Sequence, residues 1–202
     1  LRRGVDATGA LDPAATDREG YLCPDTYACA RGAAEQAIID KRVATCLDHW
    51  TNEIAPLLDE SSLSPRELVT LASIVEKETA IAAERPRIAA VFVNRLNKGM
   101  RLQSDPTIIY GLNGGEPLGR GIRLSELRGK TPYNTYVIDG LPPTPIGNPG
   151  LAALEAVLNP PKSGELFFVA DGTGGHVFSS TNAQHQRNVA KWRRVERERG
   201  SQ

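Results

Sequence analysis

Ser64-Pro65-Arg66-Glu67 opens a helix with unusual clarity. A serine at the N-cap, a proline at the first helical position and a glutamate three residues after the cap together suit the unpaired N–H groups of a first turn. From there the apolar spacing carries the helix to Thr79 or Ala80. At about 100° per residue, Leu68, Leu71, Val75 and, beyond them, Ala82 fall within one narrow arc. Other elements follow from the same logic. Ala34, Ile38, Cys46, Trp50, Ile54 and Leu57 form a broad stripe between Ala33 and Leu58, which predicts one long helix or two. A further helix is expected from Glu84 to Lys98, with Gly99 as its stop. Asp105-Pro106 is expected to cap a short helix through Tyr110, and Asn148-Pro149 another over Leu151 to Leu158. Tyr133 to Ile138 alternates and is rich in aromatic and β-branched residues, so it reads as a strand. Leu166 to Ala170 and His176 to Ser179 bracket Asp171-Gly172-Thr173-Gly174-Gly175, a hairpin signal, and Asn182 to Arg199 is a charged terminal helix. Helices first and strands later predict an α+β fold: a helical N-terminal half, then a small antiparallel sheet and a C-terminal helix.

A chain of 202 residues is long enough for one domain with its own core. Residues 1–30 read as an extended lead-in with a turn at Pro24-Asp25, and 31–202 as the domain proper. Its 24 basic and 24 acidic residues cancel, leaving no global field for nucleic acid or an anionic membrane. No stretch approaches the roughly 20 apolar residues of a membrane span, and the charged, abrupt opening at Leu1 suits a piece cut from something longer. Cys23, Cys29 and Cys46 match no metal-ligand spacing. They read as structural cysteines, with one disulfide and one thiol possible in an oxidising compartment, and their odd number places the chain in neither compartment.

Glu78 falls inside the apolar arc of the capped helix, seven residues from Leu71 and three from Val75. A carboxyl turned toward apolar packing loses hydration in its charged form, so its pKa rises and it can hold a proton near neutrality, as a general acid must. The alternative is that the last turn frays and the side chain escapes to water. Glu76 faces elsewhere and reads as a solvated charge. Asp105 is first of all an N-cap. Tyr133, Asn134 and Tyr136 have the stacking and hydrogen-bonding repertoire that suits sugars, and equally that of ordinary core and turn residues. His176 and His185 lack any metalloenzyme spacing and read as surface residues. Gly172 to Gly175 joins two strands and does not open a helix, which argues against a phosphate cradle.

Read in order, SIVEKETA (73–80), VFVNRLNKGMRLQSDPTIIYGL (91–112), PYNTYVIDGLPPTPIGNPG (132–150) and FFVADGTGGHVFSSTNAQH (167–185) resemble segments of the YceG/MltG family in content, order and spacing. EGYLCPDTY (19–27) is similar too, with Cys23 where a larger apolar residue is expected. The resemblance implies an endolytic lytic transglycosylase acting on peptidoglycan glycan strands, with the second glutamate of the E-K-E-T motif, Glu78, as its catalytic residue. No cofactor and no metal are expected, since no metal-ligand spacing is present. Ordinary glycosidases use two carboxylates. A lytic transglycosylase would use one, protonating the oxygen between N-acetylmuramic acid and N-acetylglucosamine and then taking the proton of the muramoyl 6-hydroxyl as a 1,6-anhydro ring closes. Gln103, Asp105, Tyr133, Asn134 and Tyr136 are the candidate substrate-binding residues. The resemblance further implies a catalytic domain on the outer side of the cytoplasmic membrane, an N-terminal anchor and a small LysM-like region that this chain does not contain, and cell-wall synthases as candidate partners. Two other readings remain: a hydrolytic muramidase with Asp105 or Glu76 activating water, and a non-catalytic glycan-binding scaffold.

Overall fold

The computed structural model describes residues 11, 12, 15, 18–28, 32 and 34–200. Helix α1, Glu35–His49, runs on through a π-helical turn at Trp50–Ile54 into α2, Ala55–Leu58. Helix α3, Pro65–Glu78, begins at the expected capping box: the Ser64 hydroxyl accepts the Glu67 N–H while the Glu67 carboxylate accepts the Ser64 N–H. A 3-10 turn, Ala82–Glu84, leads into α4, Arg85–Asn97. Then come α5, Asp105–Asn113, the one-turn α6, Leu124–Leu127, and α7, Leu151–Leu158. Strands β1, Phe167–Ala170, and β2, His176–Ser179, form an antiparallel hairpin in which Phe167 faces Ser179 and Ala170 faces His176. Helix α8, Asn182–Gly200, follows and packs on both strands. The fold is α+β.

The core lies where α3, α4 and α7 meet. Leu68, Leu71, Ile74 and Val75 of α3 and Ile88 and Phe92 of α4 are removed from solvent, each aliphatic or aromatic side chain contributing about 1.5–3 kcal/mol by burial. Phe92 meets Phe168 edge-on at 5.7 Å, which ties the hairpin to this core. The hairpin's other face takes α8 at very short range. Gly172, at φ +89°, lets Val195 approach so closely that a Cβ there would stand 3.0 Å from its Cγ1.

The described residues of the lead-in are anchored. Asn148 Oδ1 accepts the N–H groups of Gly20 and Leu22, Tyr21 is buried with its hydroxyl donating to Asp12, and a Cys23–Cys46 disulfide joins this segment to α1. A bridge across 23 residues of sequence stabilises by roughly 3 kcal/mol through constraint of the unfolded chain. Cys29 lies outside the described residues. The expected turn at Pro24-Asp25 is absent. The chain reverses earlier, where the Tyr21 N–H donates to the Arg18 carbonyl, and Gly20 supplies the positive φ that this needs.

Four further expectations are corrected. Tyr133–Ile138 is a run of turns and not a strand, because Asn134 offers its backbone neighbours local partners: its Oδ1 accepts the Tyr136 N–H, and its carbonyl accepts those of Val137 and Ile138. Asp105 is the first residue of α5 and Ser104 occupies the cap position. Asn148 does not cap α7. Gly150 does, its N–H donating to Glu76, whose carboxylate also lies 3.6 Å from Arg85, so Glu76 is a half-buried structural group and not a solvated charge.

Candidate active site

The apolar arc of α3 ends in a carboxyl group. Thr79 leaves the helix in an extended conformation, so Glu78 is the last helical residue and projects from the core side into a cavity of about 360 Å³. The cavity is lined by Glu78 of α3 and Arg95 of α4, by Leu102, Gln103, Asp105 and Tyr136, and by residues of the hairpin and α8. Phe168 and Leu102 supply apolar surface. Glu78, Arg95, Gln103, Asp105, Tyr136, His176 and His185 supply the polar groups.

Glu78 is accessible only in part, from the cavity, and protein packs closely around the rest of it. Loss of hydration pushes its pKa from the ordinary 4.5 to about 7. The Ser104 hydroxyl, donating to Oε1 at 2.6 Å, opposes that rise; the Asp105 carboxylate reinforces it; His176 and Arg95 oppose it more weakly. Ser104 is itself locked in place. Its N–H donates to the Thr135 hydroxyl at 2.9 Å, its carbonyl accepts the Thr107 hydroxyl at 2.6 Å, and these two threonine hydroxyls bond each other at 2.8 Å, all in buried surroundings. A fully paired buried network of this kind holds one geometry, since any displaced member leaves an unsatisfied partner.

Arg95 is the buried cation of the site. Its guanidinium donates to the carbonyls of Leu166 and Leu102, both at 2.6 Å, and stands over the Phe167 ring at 5.2 Å. Burial lowers its pKa from the ordinary arginine value. The arginine thereby fastens the start of the hairpin to the segment that carries Gln103 and Asp105. Gln103 holds φ +51°, a conformation that costs a non-glycine residue about 1–3 kcal/mol. Its N–H donates to the Thr135 carbonyl, and the residue lines the cavity. Asp105 accepts the Tyr136 hydroxyl at 2.7 Å.

The YceG-like family model matches residues 3–191 of this sequence. The chain belongs to the YceG-like family. It is similar to proteins named endolytic murein transglycosylase from Streptococcus pneumoniae, 40% identical over 179 residues, and from Bacillus subtilis, 36% identical over 174. Each match covers 86% of this chain, but only 32% and 48% of those two proteins. The chain therefore spans about a third to a half of these curated relatives' length. A YceG-like protein from Listeria monocytogenes has the same fold, with a TM-score of 0.76 at 36% identity, over 91% of this chain and 58% of that one.

In this YceG-like chain four of the residues singled out from sequence, Glu78, Gln103, Asp105 and Tyr136, line one cavity. Tyr133 and Asn134 do not line it. Tyr133 packs on Tyr110 with ring centroids 4.7 Å apart and bonds Thr144, while Asn134 is buried with its carboxamide committed to backbone groups. Both histidines read as surface residues are half-buried cavity residues instead. His176 is paired with Glu84, and His185 stacks on Phe167 at 5.0 Å with a pKa lowered by burial and by Arg95. Sequence reasoning passed over Ser104, Arg95 and both histidines as site residues. Arg95 carried a usable signal, a cation on the apolar side of α4; Ser104 carried none, as its role depends on a contact across 26 residues. No group of three or more His, Cys, Asp or Glu among the described residues is placed to hold a metal ion, and none of their helices is long and apolar enough to cross a membrane.

Proposed function

We propose that this chain is the catalytic part of an endolytic lytic transglycosylase that cleaves the bond between N-acetylmuramic acid and N-acetylglucosamine within peptidoglycan strands, releasing a 1,6-anhydro-muramoyl end. The observation that carries this reading is one carboxyl group, Glu78, with a pKa near 7 at the head of a sugar-sized cavity. The names of the relatives agree with it.

In the mechanism, protonated Glu78 gives its proton to the glycosidic oxygen as the C1–O bond breaks. The resulting carboxylate then takes the proton of the muramoyl 6-hydroxyl while that oxygen closes onto C1, so the enzyme returns to its starting state without water. A pKa near the working pH serves both halves, because the group must lose and regain a proton in each cycle. Ser104 steadies the carboxylate between the two transfers. Asp105 and Tyr136 form a polar wall facing the developing oxocarbenium charge, and Gln103 is aimed at the acetamido groups. Catalysis on the outer side of the cytoplasmic membrane and work beside cell-wall synthases belong to the same reading. The Cys23–Cys46 disulfide suits an oxidising compartment.

Digestion of purified uncrosslinked glycan strands tests the reaction class. Mass spectrometry is expected to find muramoyl ends lighter by one water than reducing ends. Reducing ends alone would move the assignment to a hydrolase, with Asp105 as the carboxylate available in the cavity to activate water. The pH profile supplies a second test. Since activity needs the protonated acid, kcat is expected to fall as pH rises through about 7, the pKa that burial gives Glu78. A rate that holds level to pH 9 would mean that no such acid is used.

A further inference from the structure

Glu84 stands six residues beyond Glu78, on the 3-10 turn between α3 and α4, and grips the hairpin twice. Its Oε2 lies 2.7 Å from His176 Nδ1 and its Oε1 accepts the His176 N–H at 2.8 Å. Gly175 leaves room for this approach, as a Cβ there would stand 2.9 Å from Glu84 Oε1 and the carboxylate would have to shift. Asp171 holds the hairpin tip in shape by accepting the N–H groups of Thr173 and Gly175. Pinning the hairpin needs only the backbone contact. The ring contact does something more: it commits Nδ1, with its hydrogen, to a carboxylate, which fixes the tautomer and leaves Nε2 as the nitrogen free to meet a ligand. Phe168, edge-on at 5.4 Å, limits how the imidazole can turn, and His176 lines the same cavity as Glu78.

We propose that Glu84 and His176 form a second functional pair of this cavity, in which His176 Nε2 hydrogen-bonds a sugar hydroxyl of the glycan from the hairpin wall and Glu84 is the positioning residue that aims it. A hydroxyl is the partner that suits the ring in both charge states, because it donates to a neutral Nε2 and accepts from a protonated one. The inference rests on the reading that the cavity takes a glycan strand. It has a consequence for the acid. Glu78 is faced by Asp105, Tyr136, Arg95 and His176, and of these the histidine and the arginine favour its carboxylate form. His176 itself faces Glu84, Glu78 and Asp171. A glutamine at position 176 takes away a neighbour that favours the Glu78 carboxylate, so the alkaline limb of activity moves to higher pH.

The test uses His176→Gln and Glu84→Gln in this 202-residue chain. Binding of tetra-N-acetylchitotetraose is measured by calorimetry in a Glu78→Gln background, and the pH profile of strand cleavage is measured with Glu78 intact. His176→Gln is expected to weaken tetrasaccharide binding about tenfold, the worth of one hydrogen bond, and to move the alkaline limb upward. Glu84→Gln, which keeps a backbone acceptor but loses the charge, is expected to move both readouts the same way by less. A folded His176→Gln protein with unchanged affinity and an unmoved limb overturns the pair. If that variant does not fold, Glu84→Gln decides by the same two readouts. Failure of the pair is distinct from failure of the transglycosylase reading. Anhydro ends from the wild type with unchanged affinity and an unmoved limb in His176→Gln sink the pair alone; weakened affinity with no anhydro ends supports the pair and sinks the reaction.

Discussion

Glu78→Gln is expected to lower strand cleavage by at least about 10²–10⁴-fold, the usual worth of a positioned acid and base, while leaving the fold intact. The substitution keeps the shape of the side chain and an oxygen to accept the Ser104 hydroxyl. What it removes is the transferable proton. The same change carries a stability signature with a definite sign. Glu78 titrates near 4.5 when the chain is unfolded and near 7 when folded, so the native state holds its proton over a range where the unfolded state has released it. Stability contributed by this group is therefore full below pH 4.5, is lost as pH rises to 7, and stays lost above that. Relative to wild type, the glutamine variant should melt higher at pH 8 and gain little at pH 4. A protein more stable and less active at once is the pattern of a strained catalytic group. Cleavage by the variant at the wild-type rate would remove Glu78 from the chemistry, and equal melting differences at both pH values would remove the buried, proton-holding carboxyl on which the mechanism depends.

Why the sequence points to Glu78 but not to its surroundings is a matter of range. Helix α3 is written locally: the cap at Ser64, the proline after it and the 3.6-residue spacing all lie within one window, and the same periodicity that places Leu71 and Val75 in the core turns Glu78 inward. The hairpin is equally local, with a glycine-rich turn between two short apolar runs. The cavity's other groups arrive from afar. Ser104 reaches Glu78 only because Arg95 and Thr135 fix the 102–105 segment, and His176 becomes a cavity residue only because Glu84, 92 positions away, holds it. Periodicity has no access to such pairings. The strand expected at Tyr133–Ile138 fails for a different reason: alternation describes which side chains prefer a pleated surface, whereas one asparagine can supply the backbone with partners that no neighbouring strand then has to provide.

That asparagine also separates a structural from a binding role by experiment. Asn134 is 1% exposed, and its Nδ2 donates to the carbonyls of Glu126, Leu127 and Gly129 at 3.2, 3.1 and 2.7 Å while its Oδ1 takes the Tyr136 N–H at 3.0 Å. The contacts tie the end of α6 to the turns that carry Thr135 and Tyr136, and so reach the cavity through Thr135, Ser104 and Glu78. Asn134→Ala strands several of these backbone groups in a dry setting. At roughly 1–3 kcal/mol for each uncompensated one, with some relief from water entering the gap, a loss of about 3–4 kcal/mol is expected. In a domain of this size that lowers Tm by about 10 °C. Asn134→Asp should be no better, because it replaces an amide donor with a carboxylate facing three carbonyl oxygens. A residue that instead bound sugar directly would show the reverse, with Tm held within a degree or two of wild type and tetra-N-acetylchitotetraose binding lost. Thermal melts and calorimetry on the same preparations decide between these outcomes. The structural role further requires that any residual activity below the lowered Tm keep the wild-type pH limb, since the charges facing Glu78 are those of Asp105, His176 and Arg95 and the substitution removes none of them.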